Sequence, residues 1–274
     1  DANDPRVYLS KEKPRYYSVF KNYCKGTTTT KVFGDLICSN LRESILQSVY
    51  NKTAIDLAAQ IRSDMPEFNG NRSNLEKHIL TCLADEENFE NYMEYIHHPR
   101  KHFEDFITEK VNKYITDNNT RVLKLFEGNL KDKEQRVINS VHIATGEVKK
   151  SRGGDADMWM RSFSSSIKYD LSFKEITFID NREIRDFDFL QQVVGDGLTA
   201  VMSELDKSFN SVKDINMEKF RKKPDEILIE HLCQCCWVQC PFCKVICTNT
   251  MEGHDGDHSV PFHRVNGTSG ESYR

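Results

Sequence analysis

A chain of 274 residues with 38% hydrophobic and 29% charged side chains can bury one large or two ordinary cores, so its size creates no need for disulfide staples. A formal net charge of -4 argues against a nucleic-acid surface spread over the whole molecule. No apolar run approaches the roughly 20 residues of a membrane span, which excludes a helical membrane protein for this stretch. The chain opens on Asp1-Ala-Asn-Asp-Pro5, with no Met and no apolar signal core, and so reads as a piece of something longer.

Residues 1–38, with Tyr16, Tyr17, Phe20, Tyr23 and four threonines in a row, offer no helical period and are expected to be irregular, or to form a short strand near Lys31–Phe33. From Ser39 the apolar residues Leu41, Ile45, Leu46, Val49, Ile55, Leu57, Ala58 and Ile61 fall largely at three- and four-residue steps, an amphipathic stripe that should end before Pro66. Ser73 and Glu76 have the form of a capping box for a helix through Leu83. A further helix stops at Pro99, another carries Phe103, Ile107, Val111 and Tyr114, and a long pattern continues from Val122 to about Lys149. Residues 39–150 are thus one helical region.

Ser151-Arg-Gly-Gly154 breaks the pattern. Residues 151–223 should form a second helical region: Asp155 caps a short helix with Met158, Trp159 and Met160, Ile176–Ile179 is the one run with strand character, and a helix follows from about Phe187 to Leu205. Pro224 suits the first turn of a last helix running to about Trp237, which opens the final region, 224–274. Arg221-Lys222-Lys223 reads as a solvated approach to that helix. The fold class expected is mainly α, a multi-helix bundle-like body followed by a small zinc-clamped C-terminal tail.

The chemistry concentrates in that tail. Of nine cysteines, Cys24, Cys38 and Cys82 stand alone, whereas six lie between Cys233 and Cys247, followed by His254, His258 and His263. Lone buried thiols suit a reducing compartment, cytosolic or nuclear, where thiols beside imidazoles more often hold metal than form disulfides. Zinc takes sulfur and imidazole donors at the corners of a tetrahedron, and Cys240, Cys243, His258 and His263 have the spacing C-x2-C-x14-H-x4-H, near the ranges of structural sites. Cys247, His254 and Cys236 are alternates, and a second ion is open. Asp255 and Asp257 are placed to orient an imidazole. Cys233 and Cys235 read as helix packing.

Other chemistries fit less well. His254-Asp-Gly-Asp-His258 has the spacing of a metalloprotease motif, but that motif needs one helix face and Gly256 interrupts it, while surplus thiols would close the corner that hydrolysis needs open. Pro261 breaks the helix a DNA-reading finger would need between its histidines. A RING-type module needs eight regularly arranged donors. Asn51-Lys52-Thr53-Ala54 lacks the Asp of a guanine-reading motif, and no glycine-rich phosphate loop occurs in the chain.

Four stretches carry a resemblance: NYCKGTTTTKVFGDLICSNL (22–41), NKTAIDLAAQIRSDMPEFNGNRSNLEKHIL (51–80), IHHPRKHFEDFI (96–107) and CPFCKVICTNTMEGHDGDHSVPFHR (240–264). Together they make the chain similar to the C-terminal part of the interferon-induced very large GTPases. The resemblance implies a giant dynamin-like GTPase of cytosol and nucleus, induced by interferon, with its nucleotide domain upstream of these residues. It assigns no catalysis here. The family's Gly-Trp-rich ending survives only as Val265-Asn-Gly267, and Thr268–Arg274 departs from it. The function expected is a non-catalytic helical and zinc-binding region for scaffolding, docking or assembly, with protein partners or self-association and no nucleic acid. The alternative is an independent metal-dependent enzyme or ubiquitin-ligase-like module in the Cys/His tail.

Overall fold

A computed structural model of the chain describes residues 13, 27–151, 154–171, 184–209, 215, 217–249 and 251–258. Its helices are α1 (Thr27–Asp64), α2 (Arg72–Glu86), α3 (Phe89–His97), α4 (Pro99–Asp117), α5 (Asn119–Lys150), α6 (Ala156–Ile167), α7 (Phe187–Ser208) and α8 (Pro224–Cys233). Single 3-10 turns lie at Pro66–Phe68 and Met217–Lys219. Among the described residues there is no strand, only one antiparallel bridge between Gln239 and Ile246. The mainly α expectation holds, and among the described residues no helix is long and apolar enough to cross a membrane.

The chain divides into two compact units, Asp1–Tyr50 with Phe126–Lys219, and Asn51–Leu125 with Phe220–Arg274. The consecutive regions 1–38, 39–150, 151–223 and 224–274 follow breaks in the helical pattern, a different criterion from shared contacts. Breaks in helical pattern mark element ends; they do not mark which distant segments share a core.

In the first unit, α1 starts at Thr27 where sequence gave an irregular segment to residue 38. The reason lies in Thr30, which is fully buried and leads a stripe through Phe33, Ile37, Leu41 and Ile45. A threonine methyl packs like an apolar group, so the helical period extends further upstream than the apolar residues alone reveal. Here α1 meets α7 at close range: a Cβ added to Gly34 would lie 2.5 Å from Val193 Cγ1, and one added to Gly197 would lie 2.7 Å from Cys38 Sγ. Buried Trp159 stacks on Phe163 at 5.1 Å between centroids and donates from Nε1 to Thr145 Oγ1 at 3.0 Å. Asp155 caps α6 as expected, accepting from the Met158 amide at 2.8 Å. Burial by itself would raise the Asp170 carboxyl, but hydrogen bonds from Lys133 and Arg136 hold it below the ordinary carboxylate value. The run Ile176–Ile179 lies outside the described residues.

The second unit holds the site. Its most extensive helix pair is α4 on α8, with Phe103, Ile107 and Val111 of α4 and Leu228 and Leu232 of α8 buried. Tyr95 of α3 stacks on Phe103 at 6.4 Å and donates its hydroxyl to Glu76 Oε1 of α2 at 2.6 Å. The capping box at Ser73 gives way to an earlier cap: Asn71 accepts the Asn74 amide at 3.3 Å, which places Arg72 in the first turn of α2. Pro224 opens α8 as expected, but the helix ends at Cys233 rather than Trp237. There the Cys233 carbonyl is taken by the Cys235 amide at 2.9 Å and the Trp237 indole at 3.0 Å, which turns the chain out of the helix.

Candidate metal centre

Beyond α8 the chain forms a short hairpin. Cys240 N donates to Val245 O at 2.8 Å, Cys247 N to Val238 O at 2.8 Å, and Cys236 N to Asn249 O at 3.1 Å. The reversal is closed by Lys244 N on Cys240 O at 2.9 Å, with Lys244 in the left-handed region at φ 59°. Pairing of this kind sets Cys236 opposite Asn249 and Cys247 opposite Val238, two positions apart toward the open end, and leaves Cys240 and Cys243 at the closed end. Gln239 Nε2 fastens the hairpin to the Ile96 carbonyl of α3 at 2.9 Å, and the Trp237 ring stands edge-on to Phe103 of α4 at 5.2 Å.

The segment after the hairpin returns to its open end through Gly253 at φ 68° and Gly256 at φ 95°, backbone conformations that favour glycine. It delivers two imidazoles: His254 Nε2 lies 3.6 Å from Cys247 Sγ, His258 Nδ1 lies 3.4 Å from Cys236 Sγ, and the two ring nitrogens are 3.1 Å apart. All four donor atoms fall within 4.8 Å of one another. Bond lengths of about 2.0 Å to imidazole and 2.3 Å to thiolate give tetrahedral edges of roughly 3.3 to 3.8 Å, and the three separations of 3.1, 3.4 and 3.6 Å lie close to such edges. The chemistry of the set, two soft sulfurs and two imidazoles without a carboxylate, suits zinc. His254 Nδ1 faces the Asp255 carbonyl at 3.4 Å, an acceptor for the tautomer protonated at Nδ1, in which Nε2 would be the nitrogen able to hold a metal.

His258 is the member of the Cys240, Cys243, His258 and His263 set that joins this cluster; the three alternates Cys236, Cys247 and His254 supply the rest. Cys240 and Cys243 are buried at the closed end of the hairpin, and His263 lies outside the described residues. The histidine pair does not share a helix face, since residues 254–258 are not helical. Cys233 is a packing thiol: burial, followed by the neighbouring Cys235, pushes it up to about 12. Burial also raises Cys235, against the pull of Arg72.

A family model described as "Interferon-induced very large GTPase 1, C-terminal domain" matches residues 236–274, a span that opens on Cys236 and includes all four converging donors. The chain is 36% identical over 275 residues to interferon-induced very large GTPase 1 of Homo sapiens, covering 99% of this chain and 11% of that protein. To the protein of the same name from Mus musculus it is 37% identical over 272 residues, covering 98% of this chain and 11% of that protein. No solved structure matches significantly.

Proposed function

The chain belongs with the C-terminal part of the interferon-induced very large GTPases, and from that premise we propose that it is a non-catalytic helical module whose Cys/His hairpin is closed by structural zinc. The observation that carries the zinc reading is the convergence of two thiols and two imidazoles within 4.8 Å of one another, enough protein donors for every corner of a tetrahedron. Catalytic zinc keeps one position for water or substrate. With Cys236, Cys247, His254 and His258 all bound, none remains, and the ion's contribution is folding free energy. GTP chemistry, named in the relatives, falls to sequence outside this chain, in which no phosphate-cradling loop occurs. The module's role is then scaffolding, docking or assembly through protein partners or self-association, in the cytoplasm or nucleus.

Cys240 and Cys243 are a second donor pair. Their C-x-x-C turn, reversed at Lys244, is the half-site the sequence spacing points to, with His263 as a further imidazole. Metal analysis of the purified chain tests both assignments. One zinc ion lost in Cys236→Ser and His258→Ala supports the four-donor centre. A second ion, lost in Cys240→Ser alone, supports the tip pair. A metal-free protein, or a Cys236→Ser variant that keeps its fold while losing a hydrolytic or ubiquitin-transfer activity, overturns the structural reading in favour of the enzyme or ligase alternative.

A further inference from the structure

Arg72 is a charged side chain in an unusual place. It begins α2, far from the hairpin in sequence, and only 4% of its surface is exposed. Its guanidinium donates from Nη1 to the Cys236 carbonyl at 3.1 Å and from Nη2 to the Cys247 carbonyl at 2.7 Å. Nη1 also lies 3.6 Å from Cys235 Sγ, and the group sits 6.0 Å from the Trp237 ring centroid. Among the described residues no carboxylate bonds to it.

A buried guanidinium is costly unless its donors are satisfied and a compensating charge is near. Here the satisfied donors go to the main chain of the two residues that supply the sulfur corners. The planar fork of Arg has a fixed span, so one rigid group sets the separation of two carbonyls on opposite strands of the hairpin. That fixes the backbone from which both Sγ atoms project.

We propose that Arg72 is a positioning residue of the metal centre: it holds Cys236 and Cys247 at the spacing one ion needs and makes metal affinity depend on the first turn of α2. The inference rests on the zinc reading above. Residues around a metal's direct ligands typically account for about 10- to 100-fold in affinity, and Arg72 belongs in that range. Lys retains the charge but cannot span two carbonyls, so charge alone will not replace it.

Cobalt(II) is the probe, because a tetrahedral site with two thiolates gives intense d–d and sulfur-to-metal charge-transfer absorption. Wild-type chain, Arg72→Lys and Arg72→Met are titrated with cobalt in competition with a chelator. Both variants are expected to bind about 10- to 100-fold more weakly and with altered charge-transfer bands, at unchanged helix content. Hydrogen exchange on the wild type supplies a readout independent of any variant's folding: zinc should slow exchange of the amides of α2's first two turns. Wild type that binds no cobalt overturns the metal centre and this inference with it. Wild type that binds, with variants equal in affinity and spectrum, or with no metal-dependent protection in α2, overturns the role of Arg72 alone.

Discussion

Cys38 and Cys233 are two thiols whose environment decides their chemistry. Burial, with the Asp35 charge adding to it, pushes Cys38 up to about 11 from 9.0, and burial pushes Cys233 to about 12 from 9.0. Cys38 donates to the Val194 carbonyl at 3.5 Å, so its proton is used in the fold. Below pH 9.0 the folded and unfolded chains both carry these protons and stability is unaffected. As pH rises from 9.0 toward about 12 the unfolded chain ionises while the folded one does not, and stability falls. Urea denaturation at pH 7.5, 9 and 10.5 should show this decline, shallower in Cys38→Ala. An identical pH dependence in that variant would mean that Cys38 ionises as freely folded as unfolded.

At the level of helices, the approach of α1 and α7 rests on residues without side chains. In most helix interiors Gly→Ala is favourable by about 0.5–1 kcal/mol, because alanine leaves less backbone freedom to lose. At Gly197 the added Cβ would meet Cys38 Sγ at 2.7 Å, whereas nothing lies within 4 Å of one at Gly128. Gly197→Ala is therefore expected to destabilise by roughly 1–3 kcal/mol and Gly128→Ala to stabilise by a few tenths or more. Adding Cys38→Ala to Gly197→Ala removes the sulfur that the new methyl strikes. The double variant should recover part of the loss, a coupling that equilibrium unfolding of the four species measures. Additive effects would show that the helices part without penalty. The start of α1 belongs to this scale too: the four threonines conceal a helix because β-branched polar residues weaken propensity, and only the burial of Thr30 against its unit shows that packing overrides it.

For the whole chain, all four donors and Arg72 belong to the unit built from Asn51–Leu125 and Phe220–Arg274. Metal removal should consequently act on that unit. With chelator, hydrogen exchange is expected to rise across residues 236–258 and α2 while α6 and α7 keep their protection, and thermal unfolding should begin earlier. Equal loosening of both units, or none, would show that the ion is not what holds the hairpin. The amino-acid sequence by itself determined the all-helical class, from apolar residues at helical spacing in segments such as Leu41–Ile61 and Phe103–Ile115. It also determined the family resemblance, and a candidate metal centre among crowded thiols and histidines. Those are local properties, carried by neighbours along the chain. The tertiary structure alone decided that Cys236 and Cys247 share one cluster with His254 and His258. Cross-strand pairing and two left-handed glycines bring together donors whose spacing along the chain matches no compact motif. Arg72 was beyond reach of any reading of spacing, because its place between the two cysteine carbonyls is set by where α2 begins and by how α8 and the hairpin pack in the same unit.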